Sequence, residues 1–209
     1  MDETHAAGDA LRDRVLDAVL FHVPFDGWGP AAVRAAVNDG IVTADEAALA
    51  FPGGALDLIE YHSTRADRRM VAELERRGIA GLKVRERIPL AVRVRLEQNA
   101  AHREAIGRAL TTLGLPMNGP LAARLLYRTV DAMWYAAGDR AADFSFYTKR
   151  ATLAAVYSAT VLYWINDRSE GASATWAFLD RRIDDVMRIE KLKSRLREFG
   201  ERWTTRPAR

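Results

Sequence analysis

Fifteen consecutive residues, 151–165 (ATLAAVYSATVLYWI), carry no charged side chain. An uncharged run of this length is accommodated by a helix that is buried nearly all round. It is too short, and too rich in Ser and Thr, for a comfortable membrane span of about 20 apolar residues. The residues just before it are of a different kind. With a helix starting near Asp143, the side chains of Asp143, Phe146, Tyr147 and Arg150 fall at i, i+3, i+4 and i+7. That spacing places an acid, two aromatics and a base on one stripe at the start of the helix. Upstream, Leu121–Ala136 reads as another helix, closed by a Gly-Asp turn at Gly138–Asp139.

The remaining periodicity is also helical. Asp9–Val23 places Leu11, Val15, Ala18, Val19 and His22 on one face, and Pro24 is expected to end that helix. Ala31–Val37 follows Gly27-Trp28-Gly29-Pro30, with Pro30 set to begin it. Thr43 is placed to cap Ala44–Ala50, with Glu46 at the capping-box position. Long helices are expected over Ala55–Arg77, over Leu82–Ala100 with Pro89 in its first turn or at a kink, and over Ala101–Gly114. Another is expected over Ser173 to about Met187. No strand alternation competes, so the fold class is all-α. The expected divisions are an N-terminal three-helix lobe (9–54), a larger helical lobe (55–187) and a C-terminal tail (188–209).

Charge is unevenly spread. The 209 residues carry a net +3, yet residues 188–209 hold eight Lys/Arg against three Glu, a net of +5, which leaves −2 for the rest. In the tail, Ile189, Leu192, Leu196, Phe199 and Trp203 recur at three- and four-residue spacing, flanked by Lys191, Lys193, Arg195 and Arg197. A basic amphipathic helix of this kind is suited to an anionic membrane surface. The same stripe would also suit packing on protein. Heavy use of Ala and Arg points to a bacterial source, and the location expected is the cytoplasm, peripherally on the inner membrane. The acidic start, MDETHAAGDA, matches neither a secretory nor a transit signal.

Motifs for chemistry are sparse. There is no cysteine, and the four histidines stand at 5, 22, 62 and 102, outside the spacings that place two metal ligands on one helix face. Nucleophile-elbow, P-loop and dinucleotide-binding patterns are absent. Asp184-Asp185 diverge by about 100° on a helix and read as a solvated face. The sequence therefore points away from an enzyme, with no cofactor and no metal expected.

The layout of three short helices followed by a long one resembles the tetracycline-repressor type, in which the second and third helices form a helix-turn-helix. The third helix here, ADEAALA, offers Asp45 and Glu46 and no base. Such a helix is repelled by phosphates, so the reading is a retained regulator fold without specific nucleic-acid recognition. A ligand-responsive transcriptional regulator is the alternative.

A second resemblance is more specific. Met133, Trp134, Ala137, Gly138, Asp139, then Asp143, Phe144, Tyr147, Thr148, Lys149 and Arg150, resemble the M-W-x-x-A-G-D and D-F-x-W-Y-T-R-R signature of the Coq-nine family of coenzyme Q biosynthesis. Phe146 stands where the family usually has Trp, and Lys149 replaces an Arg. VRERIPLAVRVRLEQN and TWAFLDRRIDDVM are also similar to the family. The resemblance implies a non-enzymatic accessory protein that binds an isoprenoid or phospholipid and presents a lipid intermediate to the di-iron hydroxylase of the pathway. The surplus apolar faces (Leu121, Leu125, Leu126, Val130, Met133; Leu153, Val156, Leu162) are the expected lipid contacts. Asp131, Trp134, Asp143, Phe146, Tyr147 and Arg150 are the expected hydroxylase contacts. Leu192, Leu196, Phe199, Trp203, Lys191, Lys193 and Arg195 are the expected membrane contacts. Pairing through the last two helices, as is common in the regulator fold, makes a homodimer the expected oligomer.

Overall fold

The computed structural model describes the backbone of residues 2–139 and 144–204, and the side chains of 7–139 and 146–188. Every regular element among the described residues is helical. The chain divides into two compact units, residues 1–140 and 141–209.

The first unit contains seven α-helices: α1 (Asp2–Asp26), α2 (Pro30–Asn38), α3 (Ala44–Ala50), α4 (Gly54–Arg77), α5 (Val84–Glu97), α6 (Arg103–Leu113) and α7 (Gly119–Ala136). The inner face of α1, with Val15, Leu16, Val19, Leu20 and Val23 all buried, is the spine of the core. Ala32 and Ala36 of α2, Ala47 and Ala50 of α3, Leu58 and Ile59 of α4, Ala105 and Ala109 of α6 and Leu125 of α7 close on it. Small residues on α2, α3 and α6 let these backbones approach α1 closely. The buried Trp28 ring joins the loop after α1 to α6, its Nε1–H donating to Ala105 O at 2.7 Å. The short helix α3 starts as its sequence predicts. Thr43 Oγ1 accepts from the Glu46 backbone N–H, and the Glu46 carboxylate accepts from Thr43 N–H.

Two prolines lie inside helices. Pro24 lies inside α1, which continues to Asp26. The residue removes one backbone donor only a turn from the helix end, and the buried Val23 and Trp28 on either side hold the chain in place. Pro89 falls inside α5, past its first turn, and does not interrupt it.

The second unit is α8 (Phe144–Asn166) and α9 (Ser173–Thr204). Tyr163 of α8 stacks on Phe178 of α9, centroids 4.7 Å apart and planes 11° apart. The corner between them is fixed by Asp167. Its carboxylate accepts from the backbone N–H groups of Ser169 (2.8 Å) and Thr175 (2.9 Å) and from the Thr175 hydroxyl (2.6 Å). These bonds to the charged form hold the carboxyl well below its ordinary range. The helix α9 runs without interruption through the basic tail to Thr204.

Candidate functional site

The residues of the aromatic-charged stripe come together on the first two turns of α8. Tyr147 is 69% exposed. Its ring meets Phe146 edge-on, with centroids 5.2 Å apart. Arg150 is buried rather than solvated. Its guanidinium lies over the Phe146 ring, 3.3 Å from the centroid, and Nη1 donates to Phe146 O at 3.4 Å. The i, i+4 spacing makes this contact possible, and the ring's electron-rich face favours the cation. Phe146 thus serves as a plate between a buried cation and an exposed phenol, and Tyr147 is the member of the trio most open to a partner. Asp143 lies outside the described residues.

On α7, Asp131 and Trp134 sit three apart and are both half-buried. The end of that helix has a specific construction. Gly138 N–H bonds to Tyr135 O (2.9 Å) and Asp139 N–H to Trp134 O (3.0 Å), the crossed pair of a Schellman motif. Gly138 takes φ +80, which a residue with a Cβ adopts only with strain. A Cβ there would also stand 3.0 Å from Arg87 Nη1.

Arg87, from α5, is the residue that sequence reasoning missed. It donates to Ala137 O (2.8 Å) at the end of α7, and to Leu82 O (2.7 Å) and Ala80 O (2.5 Å) in the α4–α5 connection. No local pattern links positions 50 residues apart. A second missed feature is the buried ion pair of Arg95 Nε with Asp67 Oδ1 at 2.7 Å, extended by the Thr129 hydroxyl donating to Asp67 Oδ2 at 3.0 Å. It joins α4, α5 and α7. Asp67 did leave a trace in the sequence, as an acid between the apolar Ala66 and Met70.

The residues expected to face lipid are unequally placed. On α7, Leu125, Val130 and Met133 are buried, and Leu121 and Leu126 half-buried. Leu125 belongs to the core around α1, with Leu121 packed against it. On α8, Leu153 and Val156 are buried in register with Thr160 and Trp164, whereas Leu162 is exposed on another face. The side chains expected to meet a membrane, Lys191, Leu192, Lys193, Arg195, Leu196, Phe199 and Trp203, lie outside the described ones, although their backbone is helical. Among the described residues no helix is long and apolar enough to cross a membrane. No group of three or more His, Cys, Asp or Glu is placed to hold a metal ion there either.

The fold is that of a known class. A TetR transcriptional regulator from Nitrosomonas europaea superposes with a TM-score of 0.69 at 26% identity, over 84% of this chain and 97% of the regulator. The family model COQ9 matches residues 119–190, which include α7, the Gly138 turn and the Phe146–Arg150 stripe. The mitochondrial ubiquinone biosynthesis protein COQ9 of Drosophila melanogaster is 32% identical over 92% of this chain, and that of Homo sapiens 34% identical over 96%. The chain spans 60% of the fly protein's length and 65% of the human one's. COQ9-B of Xenopus laevis is 32% identical over 95% of this chain and 70% of its own length. A regulator fold, a third helix without a base, and this identity to proteins named for ubiquinone biosynthesis together place the chain in the COQ9 family.

Proposed function

We propose that this chain is a non-enzymatic, lipid-binding accessory protein of ubiquinone biosynthesis, which presents a lipid intermediate to a di-iron hydroxylase. The observation that carries the reading is the exposed Tyr147 on its Phe146–Arg150 support, within the span matched to COQ9. Aromatic side chains and arginine dominate interface energies, and a Tyr held on a rigid plate loses little freedom on docking. In the second unit the docking residues are Phe146 and Tyr147, held by Arg150, and Asp143; in the first unit they are Asp131 and Trp134. Leu121, Leu125, Leu126, Val130 and Met133 in the first unit, and Leu153, Val156 and Leu162 in the second, are the apolar residues available to an isoprenoid or phospholipid, and the chain acts as a homodimer. The basic amphipathic end of α9 (Lys191, Leu192, Lys193, Arg195, Leu196, Phe199, Trp203) rests on an anionic membrane, in bacteria the cytoplasmic face of the inner membrane.

Native mass spectrometry of the purified protein should show a co-purified lipid. Capture of the pathway's di-iron hydroxylase should weaken by about tenfold with Tyr147→Ala, at an unchanged melting temperature. Absence of lipid together with undiminished capture by Tyr147→Ala would sink the reading. The regulator alternative has the TetR likeness in its favour. It meets an acidic α3 whose Glu46 carboxylate is tied up in its own cap.

A further inference from the structure

Helix α1 has a second face that the core does not use. Phe21 is 73% exposed and Phe25 80% exposed, one turn apart on the side opposite Val19 and Val23. Between them in sequence, His22 Nε2 lies 2.8 Å from Asp39 Oδ2. That bond brings the turn after α2 alongside, and two residues beyond Asp39 stands Ile41, 53% exposed. Two neighbouring phenylalanines left this open on a helix are characteristic of an interaction site.

The charge around them selects the partner. Residues 1–57 hold ten Asp/Glu against three Arg, a net of −7. Two of those arginines are already committed, Arg12 to Asp57 and Arg14 to Glu46. Asp26, beside Phe25, and Asp45 on α3 are exposed. An anionic lipid surface and nucleic acid are both repelled by such a lobe, whereas a basic segment with an apolar stripe is complementary to it in both respects. This chain contains one such segment. Residues 188–209 carry a net +5 and the stripe Ile189, Leu192, Leu196, Phe199 and Trp203. The helix α9 continues through them to Thr204.

We infer that the Phe21–Phe25 edge of the acidic N-terminal lobe is a docking surface for the basic C-terminal segment of a second copy of this chain. The apolar stripe lies on the two rings and Ile41, and the lysines and arginines flank it towards Asp26, Asp39 and Asp45. The segment is thereby covered when no membrane competes for it. This contact is separate from the docking of a hydroxylase at Tyr147 and from the tail's binding to lipid, so each has its own failure.

The test titrates a fluorescein-labelled peptide of residues 188–209 with the full chain and follows anisotropy. Saturable binding is expected, weakened at least tenfold by the double variant Phe21→Ser/Phe25→Ser, and lost for a peptide with its Lys and Arg replaced by Gln. Both rings are exposed, so the variant should melt with the parent, which separates docking from folding. In sedimentation velocity the full chain should self-associate through this contact, and the double variant should do so less. Sedimentation with phosphatidylglycerol vesicles should survive the double substitution. Absence of saturable peptide binding, or equal binding by parent and double variant, would overturn the assignment.

Discussion

Burial pushes the His62 imidazole down to about 3, reinforced by the nearby cations Arg95 and Arg65, by His102 and by Arg69. The ring sits against Trp28, centroids 5.5 Å apart, and faces His102 edge-on at 6.2 Å. Burial also lowers His102. A histidine whose folded pKa lies below its unfolded value of 6.5 takes up its proton mainly on unfolding. The stability it protects is therefore fully present above pH 6.5 and falls as the pH drops from there towards 3. Between pH 7 and 5 the loss should be about 2 kcal/mol for His62. Unfolding free energies from urea titrations at the two pH values should separate by that amount in the parent and draw together in His62→Gln. The Arg95–Asp67 pair is a second buried polar feature of this unit. Arg95→Ala leaves the Asp67 carboxylate unpaired among α4, α5 and α7 and should cost about 3–5 kcal/mol in chemical denaturation. Replacing both partners with apolar residues should recover much of that loss.

At the scale of the element, the end of α7 shows how a glycine and a distant arginine share one turn. Gly138→Ala combines a left-handed backbone with a Cβ pressed towards Arg87, and should destabilise by about 1–2 kcal/mol. The local signature should be faster amide exchange at Gly138 and Asp139, whose N–H groups close the turn. The start of α8 separates two roles that sequence spacing merges. Tyr147 is open, so its truncation is read in partner capture, whereas Arg150 is buried under Phe146. Arg150→Ala is therefore expected to lower the melting temperature as well as any capture, and Arg150→Lys to restore less than full capture because a planar guanidinium covers the ring best.

For the whole molecule, the distribution of charge decides more than its sum. The net +3 divides into −7 over residues 1–57, +5 over 58–187 and +5 over 188–209. A regulator of this fold reads DNA with its N-terminal lobe, and here that lobe is the acidic part. Anisotropy with a labelled duplex of random sequence should show no binding in about 0.15 M salt, where the Debye length is ~8 Å. Weak binding that appears only at low salt and disappears on removal of residues 188–209 would trace to the basic tail. Duplex binding that survives removal of the tail would contradict the charge argument.

The sequence by itself determined the helices and the family. Apolar residues at three- and four-residue spacing, the Thr43–Glu46 capping pair and the Gly138 stop are local features, and local features are written in neighbouring residues. The signature from Met133 to Arg150 was legible for the same reason, since its members lie within one turn and two helices. Pro24 misled because it stands only a turn from the end of α1, where it removes a single donor and the packing of Val23 and Trp28 holds the chain. Only the tertiary structure decided which side chains of a stripe meet solvent. Helical periodicity places Tyr147 and Arg150 on one stripe, and does not say that one is open and the other buried. The same holds for Arg87 on Ala137, Arg95 on Asp67, and the two bare phenylalanines of α1. Each depends on what another helix covers or leaves uncovered, and no spacing along the chain encodes that.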